Sequence, residues 1–197
     1  MTERRAGGGL PAGERWLGVL LLVAGIVGLV AAFALAIEKQ RLLENPFYVP
    51  ACSLGDAVDC GAVMRSPQAT TFGVSNAFIG LAGFGGLLAT GMLLTTGARL
   101  TTAYRWVLQI GLTLAVVLVH WLIFHALFRI GALCPFCMAI WAATIPSFWY
   151  VTLDNTRRLA GRNRLVGALH RNHGIVVTVW LLLIAVLVVE RFYAPWS

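Results

Sequence analysis

Apolar positions along the chain gather in five long runs separated by short polar segments: 16–37, 74–96, 104–128, 133–153 and 174–189. About 20 residues of helix cross the hydrocarbon core of a bilayer, so each of the first four is long enough to span it. The fifth has 16 residues, about 24 Å at 1.5 Å per residue, and needs Phe192 and Tyr193 as interfacial anchors. The pattern predicts an all-α integral membrane protein: a four-helix bundle with an additional fifth transmembrane helix.

Composition agrees. Hydrophobic residues make up 59% and charged residues 12% of the chain, with a mean hydropathy of +0.81. A soluble domain carries about 25% charged residues, so the polar coat of a water-soluble enzyme is missing. The net charge of +7 does not point to nucleic acid, because no basic patch is interleaved with aromatics on a soluble module. It points to orientation. If the N-terminus is cytoplasmic, the inner segments hold ten basic and three acidic residues and the outer ones five of each. Lys and Arg accumulate on the cytoplasmic side of a membrane protein, which predicts a multi-pass inner-membrane protein in this orientation.

Arg4 and Arg5 before an apolar run that ends in Ala32, Ala34 and Ala36 resemble a cleaved secretory signal, but the run is longer than the roughly 7–15 residues of a signal core. It is expected to remain as the first helix. Three regions follow: a flexible cytoplasmic tail over 1–15, a catalytic four-helix domain over 16–155, and a basic cytoplasmic loop with the fifth helix over 156–197. Small residues recur every fourth position at Ala24, Gly28, Ala32 and Ala36, and again at Ala82, Gly86 and Thr90. Both stripes are expected to let helices approach closely.

The four cysteines, Cys52, Cys60, Cys134 and Cys137, all fall on the non-cytoplasmic side of this topology. Disulfides form and persist there. Cys134-Pro135-Phe136-Cys137 opens the fourth helix, where residues three apart share a face and two sulfurs can meet. Proline suits the first helical position after a cap at Cys134, and the positive end of the helix favours a Cys134 thiolate. Cys52 and Cys60 are eight positions apart, about 12 Å on a continuous helix. The segment between them must fold back if they pair, and Gly55 and Gly61 offer places for it. They need not pair permanently, since a relay attacks one pair's disulfide with the other pair's thiolate. Other readings are a static scaffold of two disulfides or a zinc site that gathers all four thiolates. Redox chemistry fits a C-x-x-C at a helix start better than either, and no metal is expected. Thioredoxin itself is disfavoured, because its motif belongs to a strand–helix unit.

With Cys52-x7-Cys60 in the first outer loop, Ser66 six residues later, Ser75-Asn76 at the start of the second helix and Cys134-Pro-Phe-Cys137 opening the fourth, the sequence resembles the vitamin K epoxide reductase family in its bacterial disulfide-forming branch, over roughly residues 16–155. The resemblance implies a quinone-linked oxidase of extracytoplasmic thiols. It implies that Cys52 exchanges with a reduced partner, that Cys60 relays electrons to Cys134, and that Cys137 faces the quinone, menaquinone or ubiquinone. It also implies that the Asn76 amide bonds a quinone carbonyl and that Ser66 lies near the same site, where donors stabilise developing negative charge.

Trp141 departs from the family pattern, standing where the vertebrate enzymes carry tyrosine. An indole N–H donates but does not accept, so a stacking wall is expected there and epoxide conversion is not. Some members carry a fused thioredoxin-like domain after the fifth helix. Here the chain stops at Ser197, so the partner is expected to be a separate extracytoplasmic thioredoxin-like thiol oxidase. The unrelated disulfide-bond protein B does similar work with its two Cys pairs in the reverse order.

His120 and His125 invite a proton-carrier role, as ionisable groups at membrane depth do, but five positions apart they do not share a face. Arg129 serves either as a thiolate neighbour or as an anchor. The arginines from 157 to 171 are expected to meet anionic lipid headgroups. Trp16, Trp106 and Trp196 read as interfacial belts, and Pro146 as a kink in the fourth helix.

Overall fold

The computed structural model describes residues 12–55, 57–71, 73–159 and 164–193. Most of the expected tail, together with Arg162 and Trp196, lies outside the described residues. In chain order the elements are α1 (Ala12–Glu44), α2 (Cys60–Arg65), a 3-10 turn (Pro67–Thr70), α3 (Asn76–Thr95), α4 (Thr102–His125), a π-type turn (Ala126–Ile130), α5 (Pro135–Leu159), α6 (Arg164–Arg171) and α7 (His173–Tyr193). Five of them, α1, α3, α4 with its π turn, α5 and α7, are long and apolar enough to cross a membrane. The fold is all-helical among the described residues, with one isolated β-bridge, Val58 to Leu133.

Two helices outrun their apolar cores. The segment 38–44 is built from Glu, Lys, Gln, Arg and Leu, all strong helix formers, and α1 continues through it to Glu44. Leu35 and Leu42, two turns apart, stay buried and carry the inward stripe along the extension. The fifth span reaches Tyr193, longer than its apolar run. Arg191 at its end donates to the Leu127 carbonyl at 3.0 Å, so the polar tail of the helix is tied to the π turn. Pro146 lies inside α5, which continues past it to Leu159.

The packing of α1 on α3 is governed by glycine, at positions the stripes only partly name. A Cβ at Gly91 would lie 2.4 Å from the Leu22 backbone nitrogen, and one at Gly28 would lie 2.2 Å from the Phe84 ring. Ala24 and Ala32 are buried as expected. The α3 stripe behaves differently. Gly86 has open space where its Cβ would be, and Ala82, Gly86 and Thr90 line a cavity instead of the α1 contact. The correction follows from helix geometry: the face of α3 that meets α1 carries Phe84, Leu88 and Gly91, and the stripe lies on the other side of the helix.

Helices α1 with α3, α1 with α5 and α4 with α5 form the extensive packings. At one end, Arg105 and Asp154 form an ion pair, Gln109 donates to Thr152 at 2.9 Å, and Asn155 donates to Gln109 at 3.0 Å, joining α4 to α5. Arg158, expected against headgroups, reaches Asp154 at 3.1 Å. Trp16 stands edge-on to Tyr150 at the same end. Between α3 and α4 the walls separate around a cavity of about 1010 Å³. Val107, Leu114 and Val117 line it and are also exposed on the bundle exterior, so it opens sideways between these helices. Thr90 and Tyr104 close its far end with a 2.6 Å hydrogen bond.

Candidate functional site

All four cysteines meet at the other end of the bundle. Cys52 and Cys60 are joined by a disulfide with a Cα separation of 5.7 Å. The chain folds back at Gly55, whose φ of +153° suits glycine. Gly61, the other expected turn position, lies in the first turn of α2, where its amide donates to the Asp59 carboxylate at 2.8 Å.

Each sulfur is placed by identifiable contacts. Asp59 caps α2, the helix that begins with Cys60. Burial works to raise the Asp59 pKa, but the Ser53 hydroxyl, the amides of Ala62 and Gly61 and the Arg65 charge outweigh it and hold the carboxylate below its ordinary value. Arg65 at the end of α2 donates to the carbonyls of Pro46 and Tyr48, each at 3.1 Å. Glu38, buried on the α1 extension, accepts from the Tyr48 hydroxyl at 3.1 Å and from the Ala51 amide at 3.3 Å. The strand of loop leading into Cys52 is thus held from both α1 and α2.

Cys134 is placed by its own neighbourhood. Gly131, with a φ of +69°, ends the π turn. Leu133 then donates to the Ala57 carbonyl at 2.9 Å, which forms the β-bridge with Val58. That bridge sets the residue before Cys134 beside a residue two before Cys60. The Cys134 carbonyl accepts from Met138 at 3.0 Å, so Cys134 sits at the cap and Pro135 takes the first helical position, as expected.

The outcome is a 3.3 Å separation between Cys60 Sγ and Cys134 Sγ. Cys52, Cys60 and Cys134 are all buried, and their sulfurs lie within 4.8 Å of one another. Cys134 and Cys137 are free thiols. A hydrogen bond from Cys137 lowers the Cys134 pKa. Burial opposes it, and the amides of Cys137 and Phe136 add to the lowering. The helix-start effect expected from the sequence is therefore realised as two specific amide contacts, behind a larger one from the second thiol. A thiolate is the attacking species in disulfide exchange, and Cys134 Sγ faces a disulfide sulfur.

Cys134 and Cys137 also line the cavity, together with Ser66, Asn76 and Trp141. All five line the same cavity, but the two donors are already engaged. Ser66 donates to the Val63 carbonyl at 2.7 Å. Asn76 donates to the Gln68 carbonyl at 2.7 Å and to Thr71 at 3.4 Å, pinning the 3-10 turn to the start of α3. Trp141 is buried against Leu127, Leu133 and Cys137, as a wall of the cavity. Arg129 is exposed on the π turn. His120 bonds the Val116 carbonyl and accepts from Trp180 of α7, a packing role. His125 bonds the Trp121 carbonyl.

Sequence reasoning did not single out Lys39, Asp59 or the Val58–Leu133 bridge. Asp59 carried a readable signal, an aspartate one position before a helical run. The bridge carried none.

The sequence model of the vitamin K epoxide reductase family matches residues 19–152, a span that takes in all four cysteines and the cavity, and the chain belongs to that family. Its members are thiol-disulfide oxidoreductases that reduce quinones. No curated protein matches the chain.

Proposed function

We propose that this protein oxidises a separate thioredoxin-like dithiol protein on the extracytoplasmic face of the membrane and passes the electron pair through its two cysteine pairs to a membrane quinone, ubiquinone or menaquinone. The observation that carries this reading is the 3.3 Å approach of Cys60 to Cys134, with Cys137 opening into a cavity that reaches the side of the bundle. Orientation is supported by the charge pattern: the cysteine end is the one with balanced charge, and the excess of arginine belongs to the opposite end.

The steps balance as thiol–disulfide exchange. A partner thiolate attacks Cys52, a mixed disulfide forms and Cys60 leaves as thiolate. The partner's second thiol then displaces Cys52 and departs oxidised. Cys60 attacks Cys134 of a Cys134–Cys137 disulfide and releases Cys137, after which Cys52 attacks Cys60 and releases Cys134. The loop pair is then oxidised and the C-x-x-C reduced, the redox state found here. The reduced pair finally gives two electrons to the quinone as its own disulfide forms, and the two thiol protons balance the two hydroquinone oxygens.

The test is a Cys60→Ala variant, which leaves Cys52 without its resolving thiol. A partner held covalently through Cys52, released by reductant, is expected. Absence of any such adduct, while the wild-type chain oxidises no protein dithiol, sinks the reading.

A further inference from the structure

We infer that Lys39 supplies the positive charge that steadies the quinone oxygen as it becomes anionic, a role in the same quinone-reducing site and dependent on that reading. Among the described residues, Lys39 is the one charged side chain lining the cavity. Its position within the cavity is defined by its contacts. Its ammonium donates to the Met64 carbonyl at 2.6 Å. Met64 packs in the same buried cluster as Leu35, one turn before Lys39 on α1, and as Cys60 and Cys134, with Cys137 against it. Lys39 therefore stands at the sulfur end of the cavity and not at the Thr90–Tyr104 end.

The hydrogen-bond ledger then separates Lys39 from its neighbours. Ser66 has one hydroxyl hydrogen, and it goes to Val63. Asn76 has two amide hydrogens, and they go to Gln68 and Thr71. An ammonium has three, of which Met64 takes one. Nor is the charge neutralised next door. Glu38 is occupied by Tyr48, Ala51 and Arg41, and among the described residues no carboxylate pairs with Lys39. A cation facing an apolar cavity is worth most to a species that carries negative charge there.

The chemistry requires such a species. As the Cys134–Cys137 bond forms, an electron pair leaves the two sulfurs and enters the quinone, placing negative charge on its oxygens. A donor near one oxygen stabilises that charge until the thiol protons arrive, and it does nothing comparable for the uncharged quinone. Lys39 is thus expected to act on the rate of reduction more than on quinone binding.

The experiment separates two half-reactions in the full-length protein in detergent. One is single-turnover reduction of a short-tailed ubiquinone analogue by the pre-reduced protein. The other is reduction of the oxidised protein by dithiothreitol in the absence of quinone, read as thiols appearing at Cys134 and Cys137. Lys39→Gln is expected to slow quinone reduction about a hundredfold, to leave the thiol half-reaction within about twofold, and to be largely rescued in Lys39→Arg. Lys39→Met keeps the apolar stem and gives the same reading should Gln be poorly accommodated. Quinone reduction within about twofold of wild type in both neutral variants overturns the inference. So does an equal fall in both half-reactions, which would make Lys39 only a strut for α2 through Met64. A wild-type protein that exchanges thiols but reduces no quinone overturns the parent reading instead, and with it this one.

Discussion

Leu133 and Val58 pair as a single β-bridge, with the Leu133 amide donating to the Ala57 carbonyl at 2.9 Å. It is a backbone tie between the loop that carries the first cysteine pair and the turn that carries the second. Sulfur exchange needs the attacking atom close to and in line with the bond it breaks, and a misplacement of about 1 Å can cost a hundredfold in rate. Leu133→Pro removes the amide hydrogen without adding charge. It is expected to slow transfer between the two pairs at least about tenfold, while the Cys52–Cys60 disulfide still reacts with added dithiothreitol. Rapid quenching and non-reducing peptide mapping would follow both. An unchanged transfer rate would show that the bridge does not set the sulfur separation.

The pH dependence of the return exchange, in which Cys134 attacks the Cys52–Cys60 disulfide, follows from Cys134. Its pKa is lowered chiefly by the Cys137 hydrogen bond, so its thiolate is present at a lower pH than for an ordinary cysteine near 8.5. The sign for stability is the same: the folded reduced protein gains stability from this group above the unfolded value and loses it as pH falls through the lowered one. In Cys137→Ala the Cys52–Cys60 disulfide is kept and Cys134 is left as the one free thiol of the four. The rate of its alkylation by a small iodoacetamide against pH is expected to show a midpoint shifted upward from that of Cys134 in the wild-type chain, since the leading cause of the lowering is gone. A midpoint unmoved by the substitution would mean that the helix amides alone hold the thiolate.

The two glycine classes in α3 separate what the sequence made legible from what it did not. Five spans were readable because a bilayer demands about 20 apolar residues from each. All four sulfurs fell at one end because the parity of crossings puts them there. Which face of α3 meets α1 was not readable, because small residues on both sides of the helix look alike in a chain this rich in glycine. Gly86, in the expected stripe, faces the cavity, whereas Gly91 touches the Leu22 backbone. Gly91→Ala is accordingly expected to destabilise the bundle by about 1–3 kcal/mol through forced separation of α1 and α3. Gly86→Ala should fold normally and act instead on quinone reduction, by narrowing the cavity. Thermal unfolding in detergent alongside quinone turnover distinguishes them, and equal destabilisation by both would contradict the packing.

The Ser66 and Asn76 hydrogen bonds and the position of Lys39 were invisible for a related reason. Each depends on how residues 63–71, the end of α2 and the 3-10 turn after it, fold onto the ends of α1 and α3 through contacts that are side chain to backbone. Periodicity predicts faces of helices; it is silent on which carbonyl a loop turns inward.

His120 tests whether a titratable group at membrane depth must be functional. Val116 offers only a carbonyl, so the ring nitrogen facing it, Nδ1, carries the hydrogen, and Nε2 accepts from Trp180 at 2.9 Å. Nδ1 is thereby used within α4 and Nε2 in joining α7 to α4, and His120 is not among the residues lining the cavity. His120→Phe leaves the Trp180 N–H without its acceptor, and interhelical hydrogen bonds in membranes are worth about 0.6 kcal/mol on average and up to about 1.7. A loss of stability in that range is expected, with dithiol-to-quinone turnover within about twofold of wild type. Adding Trp180→Phe removes the orphaned donor and should recover part of the loss, as a double-mutant cycle would read. A fall in turnover of tenfold or more in His120→Phe at unchanged stability would return the histidine to the chemistry and remove it from the packing.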